Sequence, residues 1–238
     1  MKKTSNYFLT VAAFVCMIGN EAVGNAQGFG VYGKSESQPF FDEGSQRKMT
    51  ILTDTAKNDR FLYQTDPMWT PDGKYLLFRS SSRAKSFQLF FVEVETGRII
   101  QATDGNNTGS GFLGNKSNKM FLNRRVDGKW NLYVIDLNEF FADVHKGKVK
   151  KHEDYEKFIG TFPAEMGRPG GYCISSDDKW AYITVEREGT QEEIDRMNKN
   201  AFLPETNQPV KIKPVLSGIR KMNLETGKVE KVVDVEFK

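Results

Sequence analysis

Two arginines stand beside runs that read as strands. Arg60 lies in Asn58-Asp59-Arg60-Phe61, and Arg168 opens the run Arg168-Pro169-Gly170-Gly171. A guanidinium presents its N–H donors as a planar fork that pairs bidentately with a carboxylate. The two could therefore bind an acidic ligand. Asp59 and Asp66 lie near the same rim and could accept hydrogen bonds from hydroxyl groups of that ligand; a role in Asx turns explains them equally well. Arg79, Arg83, Arg124 and Arg125 follow further strand-like runs. For any single arginine, a surface ion pair is the alternative role. The two histidines, His145 and His152, fall in a charged stretch and are expected as solvated loop residues. The sequence has no Gly-rich phosphate loop, zinc-type cysteine pair, HExxH or GxSxG. Its Asp-rich turns lack the spacing of a calcium loop.

The composition bounds what must hold these residues. The chain has 238 residues, 38 % hydrophobic and 27 % charged, with 18 Phe and 21 Gly. This aromatic richness leans toward an all-β fold. The first 26 residues read separately: Lys2 and Lys3 precede an apolar stretch from Tyr7 to Ile18, then Gly24 and Ala26. That pattern predicts a signal peptide over residues 1–26 cleaved before Gln27, with a short membrane anchor as the alternative. The "MKK" start has a bacterial look, so the expected location is periplasmic or secreted. Removing 1–26 leaves 32 basic against 30 acidic residues, from 34 and 31. That balance gives no nucleic-acid footprint. Only Cys173 then remains, so no internal disulfide can form and the core must hold the fold.

The elements themselves repeat. "WTPDGKYLLFRSSSRAKSFQLFFVEVETGRIIQATD", Trp69 to Asp104, parses as turn and strand three times over. Pro71-Asp72-Gly73 supplies a tight turn: proline sets φ, aspartate caps its own backbone and glycine takes positive φ. The order recurs around Lys116-Ser117-Asn118 and Asp177-Asp178, and Glu225-Thr226-Gly227 echoes Glu95-Thr96-Gly97. The first turns, at 72, 117 and 177, are 45 and 60 residues apart. Such a period, with four strands per unit, is the pattern of β-propeller blades. The predicted innermost strands are "YQTDPMWT", "GSGFLG" and "RPGGYCIS", whose glycines suit a crowded centre. An ordinary sandwich with coincidental hairpins is the competing fold.

The expected architecture is thus all-β: a β-propeller of three blades of four-stranded antiparallel sheet, at about 62–105, 108–166 and 167–238. A linker over 27–45 precedes it, and Arg47 to Asp54 reads as an orphan outer strand. Propellers have about four to eight blades. Three would leave an arc with open edges and apolar faces. The chain therefore reads as the N-terminal part of a longer ring, or as a subunit that closes by self-association. Two charged insertions, 138–160 and 188–214, interrupt the blades. A helical turn is expected at "NEFFADV", and a short helix capped by Thr190 at the start of the second insertion.

The stretch "MWTPDGKYLLFRS" resembles the repeat of TolB-like propellers. More narrowly, Ile51 to Gly105 resembles the opening of the oligogalacturonate lyase family. The resemblance implies a seven-bladed propeller that cleaves short oligogalacturonides by β-elimination with a divalent metal, typically Mn2+. It also implies histidines in later blades for the metal and for catalysis. His145 and His152 match neither motif, so no catalytic residue and no metal ligand is assigned in this chain. The substrate-binding candidates are Arg60, Arg168, Asp59 and Asp66. The expected partner is an acidic oligosaccharide. The alternative is a non-catalytic TolB-like propeller that binds a protein or a glycan in the cell envelope.

Overall fold

A computed structural model of the chain describes residues 28–63, 65–106, 108–166, 171–188, 192, 195 and 215–235. The first part contains β1 (Tyr32–Ser35), β2 (Gln38–Asp42), β3 (Arg47–Ile51), β4 (Asp59–Arg60), β5 (Tyr75–Ser80), β6 (Gln88–Glu93) and β7 (Arg98–Gln101). The second contains β8 (Thr108–Leu113), β9 (Lys119–Val126), β10 (Lys129–Asp136), α1 (Leu137–Lys146), α2 (His152–Tyr155) and β11 (Lys157–Thr161). The third contains β12 (Tyr172–Ile174), β13 (Trp180–Glu188), β14 (Val215–Asn223) and β15 (Val229–Val235). Each part contains one antiparallel blade sheet with consecutive strands adjacent, β4 to β7 (with β1 added beyond β7), β8 to β11 and β12 to β15, and β2 and β3 form a separate two-stranded sheet. These are the three expected propeller blades, and among the described residues the sheets do not close into a ring.

The turns form for the reasons their residues suggest. In blade 1, Thr70 Oγ1 donates to Asp72 Oδ1 (2.7 Å) and Gly73 N–H donates to Thr70 O (2.8 Å). In blade 3, Ser175 Oγ donates to Asp177 Oδ1 (2.6 Å) and Asp178 N–H to Ser175 O (2.9 Å). The same hydroxyl–aspartate turn thus opens both blades. The two Glu-Thr-Gly turns end alike, with φ of +69° at Gly97 and at Gly227, a conformation glycine adopts without a Cβ clash.

Strand sequences fix which face meets which blade. Residues alternate between faces along a strand. In blade 2, Met120 and Leu122 pack with Leu77, Leu89, Phe91 and Ile100 of blade 1. Between them, Phe121 points the other way and joins Tyr172, Ile183, Val185 and Met222 of blade 3. A strand covered on both faces reads as a continuous apolar run, as in Leu76-Leu77-Phe78 and Leu89-Phe90-Phe91-Val92. The far face of blade 1 (Leu76, Phe78, Phe90, Val92, Ile99) is buried under Leu52 and Met68.

Three sequence expectations change. Residues 27–45, read as a linker, carry β1 and β2. β1 pairs with β7, Tyr32 opposite Ile100 and Ser35 opposite Arg98, so the outer edge of blade 1 is occupied rather than left open. The expected orphan strand is β3, apart from the blade sheets but paired with β2 as a hairpin, Phe40 opposite Met49. Blade 1 begins at Asp59, not near residue 62. Its inner strand is interrupted: Asp59 and Arg60 pair with Ser80 and Arg79, while Trp69 pairs with Leu76. Among the described residues between them, 61–63 and 65–67 bulge out of the ladder, and Met68 O rejoins it by accepting from Leu77 N–H (2.8 Å).

The first insertion forms the expected helix at "NEFFADV". Asp136 caps α1 by accepting from Asn138 N–H (2.9 Å) and Glu139 N–H (3.3 Å), and Gly147 ends it at φ +63°. Leu137, Phe140, Phe141 and Val144 share one face and are buried in the blade 1–blade 2 core. Phe141 stacks on Tyr75, centroids 3.9 Å apart. The helix predicted at the start of the second insertion falls largely outside the described residues, as do residues 1–26.

Candidate functional site

The bulge and two inner strands create a groove between blades 1 and 2. A cavity of about 510 Å³ there is lined by Tyr63, Asp66, Arg79, Phe87, Ser110 and Phe112, among others. Arg79 also lines an adjoining cavity of about 290 Å³, together with Asn58, Arg60, Ser80 and Ser81. Close approach of β8 makes this possible: a side chain at Gly111 would collide with Leu89.

The groove brings two arginines together. Arg60 and Arg79 are direct cross-strand partners, a position that places side chains on one face about 5 Å apart at Cβ. Like charges placed so destabilise by up to about 1 kcal/mol. Among the described residues, neither arginine has a carboxylate within ion-pair distance. Arg60 Nε donates to Asn58 Oδ1 at 3.4 Å, a long contact. Asn58 is itself fixed through Nδ2 to Ser81 Oγ (2.8 Å) and N–H to Ser82 Oγ (2.8 Å). Arg79 Nε is buried without a hydrogen-bond partner, an uncommon condition for a buried donor.

Asp66 lies in the same groove, its carboxyl pushed above the usual carboxylate range by burial. The neighbouring Tyr172 hydroxyl is driven well above its ordinary value by burial and then by Asp66. Tyr172 Oη donates to Ser110 O (3.3 Å), tying blade 3 to the groove wall. Tyr63, 68 % exposed, offers an aromatic face at the rim.

Of the residues singled out in the sequence, Arg60 and Asp66 border these connected cavities. Asp59 is engaged elsewhere: Arg83 donates to it through Nε (2.9 and 3.1 Å) and Nη2 (2.6 Å), and to Glu36 through Nη1 (2.7 Å) and Nη2 (2.5 Å). This nearly buried bridge pins the segment before β2 to blade 1. Arg168 lies outside the described residues. Arg124 is likewise consumed, forking onto Glu156 at 2.5 and 2.6 Å and onto Asp104 O at 2.7 Å. Arg79 is one of six arginines singled out in the sequence. Only its pairing with Arg60 across the ladder distinguishes it, and that pairing is a long-range fact.

The histidines are not free loop residues. His145 sits in the last turn of α1 with Nε2 3.0 Å from Tyr75 Oη, stacked against Tyr32. His152 opens α2 and meets Phe29 edge-on. Among the described residues there is no group of three or more His, Cys, Asp or Glu that could hold a metal ion. These residues therefore do not fit a manganese site.

Neither a family model nor a curated protein matches the chain. Solved structures do. The chain is similar to oligogalacturonate lyase from Vibrio parahaemolyticus, at 20 % identity and TM-score 0.61, over 87 % of this chain and 49 % of that one. It is similar to an oligogalacturonate lyase in complex with manganese, at 19 % identity and TM-score 0.62, with the same coverage. A weaker likeness is to TolB from Acinetobacter baumannii, at 14 % identity and TM-score 0.47, over 82 % of this chain and 37 % of that one. The chain spans about half the length of the two lyases. Its fold is that of part of a β-propeller, of the kind seen in oligogalacturonate lyases.

Proposed function

We propose that this chain forms part of an exported propeller that acts on oligogalacturonides by β-elimination. The observation that carries the reading is the cationic groove at the inner strands, on a fold shared with oligogalacturonate lyases. β-Elimination begins with removal of the proton α to a uronate carboxylate, and positive charge must stabilise the enolate-like anion that follows. A carboxylate held by Arg60, with Arg168 as the second arginine fork expected from the sequence, would be fixed in place, with Asp66 facing the sugar hydroxyls. Among the described residues we assign no base and derive no step through a metal. Export rests on residues 1–26; no helix among the described residues is long and apolar enough to cross a membrane.

The test is incubation of the protein carrying this chain with trigalacturonate and Mn2+, following the ultraviolet absorbance of the unsaturated product. Appearance of product supports the lyase. Absence of product under these conditions overturns it.

A second reading is a non-catalytic, TolB-like binding propeller. It is favoured by the placement of both histidines in ring contacts of the insertion, away from the inner strands. Trigalacturonate bound and recovered intact would favour this reading.

A further inference from the structure

The groove contains a pair of arginines without a carboxylate partner among the described residues. Arg60 and Arg79 face each other across the β4–β5 ladder. The surrounding acids are committed or distant. Asp59 and Glu36 are held by Arg83. Asp66 lines the larger cavity with Arg79 but lies beyond ion-pair distance of it. The buried Nε of Arg79 has no acceptor, whereas Arg83 and Arg124, the other arginines near inner strands, have theirs filled. Two apposed cations with an orphaned donor match an anion with at least two acceptor oxygens. Neighbouring Asn58, Ser80 and Ser81 line the same small cavity, and Tyr63 and Phe87 border the larger one. Hydroxyl and amide groups with aromatic rings beside a fork suit a sugar ring that bears a carboxylate.

We infer that Arg60 and Arg79 together form a carboxylate clamp for a uronate residue of an acidic oligosaccharide. This rests on the proposed substrate class but not on catalysis. Arg79 supplies the fixed half, since its Nε is buried in the wall. Arg60, exposed and steered by Asn58, supplies the adjustable half. The uronate carboxylate replaces the missing counter-charge, so binding relieves the repulsion between the two guanidiniums.

The experiment is calorimetric titration of the full chain with trigalacturonate, with galactotriose as the neutral counterpart and triglutamate as an acidic peptide. Wild type is expected to bind trigalacturonate, and to do so more weakly as chloride rises. Arg79→Gln and Arg60→Gln are each expected to weaken trigalacturonate at least tenfold, while Arg125→Gln, at the far end of β9, leaves it unchanged. Galactotriose binding, if measurable, should not change in any variant. Removing either charge should leave the thermal midpoint equal or raised, whereas a merely structural arginine would lower it when removed. The clamp is overturned by no binding of trigalacturonate to wild type, by unchanged binding in Arg79→Gln, or by tighter binding of triglutamate than of trigalacturonate. Arginine-dependent binding without any unsaturated product would retain the clamp and reject the lyase.

Discussion

At the scale of single residues, three arginines with similar sequence surroundings have different fates, decided by which acids the fold brings within reach. Arg83 is enclosed by Glu36 and Asp59, which are 47 and 24 residues away in sequence. Arg124 meets Glu156 across the first insertion. Arg79 has another arginine as its cross-strand partner and, among the described residues, no carboxylate within ion-pair distance. No local pattern separates them, because each pairing closes a long loop. This is why the sequence directs attention to Arg60 and Arg168 but leaves Arg79 among the rest. Removing the side chain of Arg83 leaves two carboxylates facing each other in a nearly buried position. Arg83→Ala is expected to lower the unfolding free energy by about 3 kcal/mol, the range for breaking a buried ion pair, measured by chemical denaturation. The effect depends on pH. The hydrogen bonds from Arg83 hold the Glu36 carboxyl below its ordinary value of 4.5. Its stabilising contribution is therefore full above that value and is lost as pH falls through the lower folded value. The gap between wild type and Arg83→Ala should narrow in acid. A gap that stays constant down to acid pH would show that the bridge contributes little.

At the scale of elements, most of the architecture was legible because it is local. The period-2 alternation, the hydroxyl–aspartate turns and the Glu-Thr-Gly turns all lie within a few residues, and each forms as its composition suggests. The Asp136 cap and the Leu137-Phe140-Phe141-Val144 face likewise mark α1 in the sequence. What was not legible depends on pairing at a distance. β1 looks like linker because it is short and polar until β7 offers it an edge. The bulge in the inner strand of blade 1 is hidden because "YQTDPMWT" reads as a strand in its own right. The first insertion is more than surface decoration, since its helix closes the outer end of a core shared by two blades. Phe141 lies between Tyr75 and Phe91, with centroids 3.9 and 5.1 Å away. Phe141→Ala should cost about 3 to 4 kcal/mol by opening a cavity there. Thermal denaturation checks it, and a shift small enough to correspond to less than about 1 kcal/mol would mean that α1 only rests on the blades.

At the scale of the molecule, blades 1, 2 and 3 share cores in sequence, and among the described residues nothing covers the outward face of blade 3. Tyr182, Ile219 and Val233 lie on it, between 36 % and 42 % exposed. Thr184, Ile219 and Val233 are cross-strand partners, so the apolar groups form a continuous patch with Tyr182 beside it. Exposed apolar patches of this kind drive association. The chain is expected to self-associate as its concentration rises, and the double variant Ile219→Lys, Val233→Lys to sediment as a monomer over the same range. Wild type that remains monomeric throughout would show that the patch is tolerated in water.

The central claim, that the inner groove of this partial propeller receives acidic sugar, is tested most directly by NMR. Trigalacturonate would be added to the labelled chain and the arginine Nε–H and backbone amide signals followed. The groove predicts shifts at Arg60, Tyr63, Asp66, Arg79 and Ser110, with the Arg79 Nε–H moving as its missing acceptor arrives. Shifts confined to α1 or to the open face of blade 3, or no shifts at all, would contradict it.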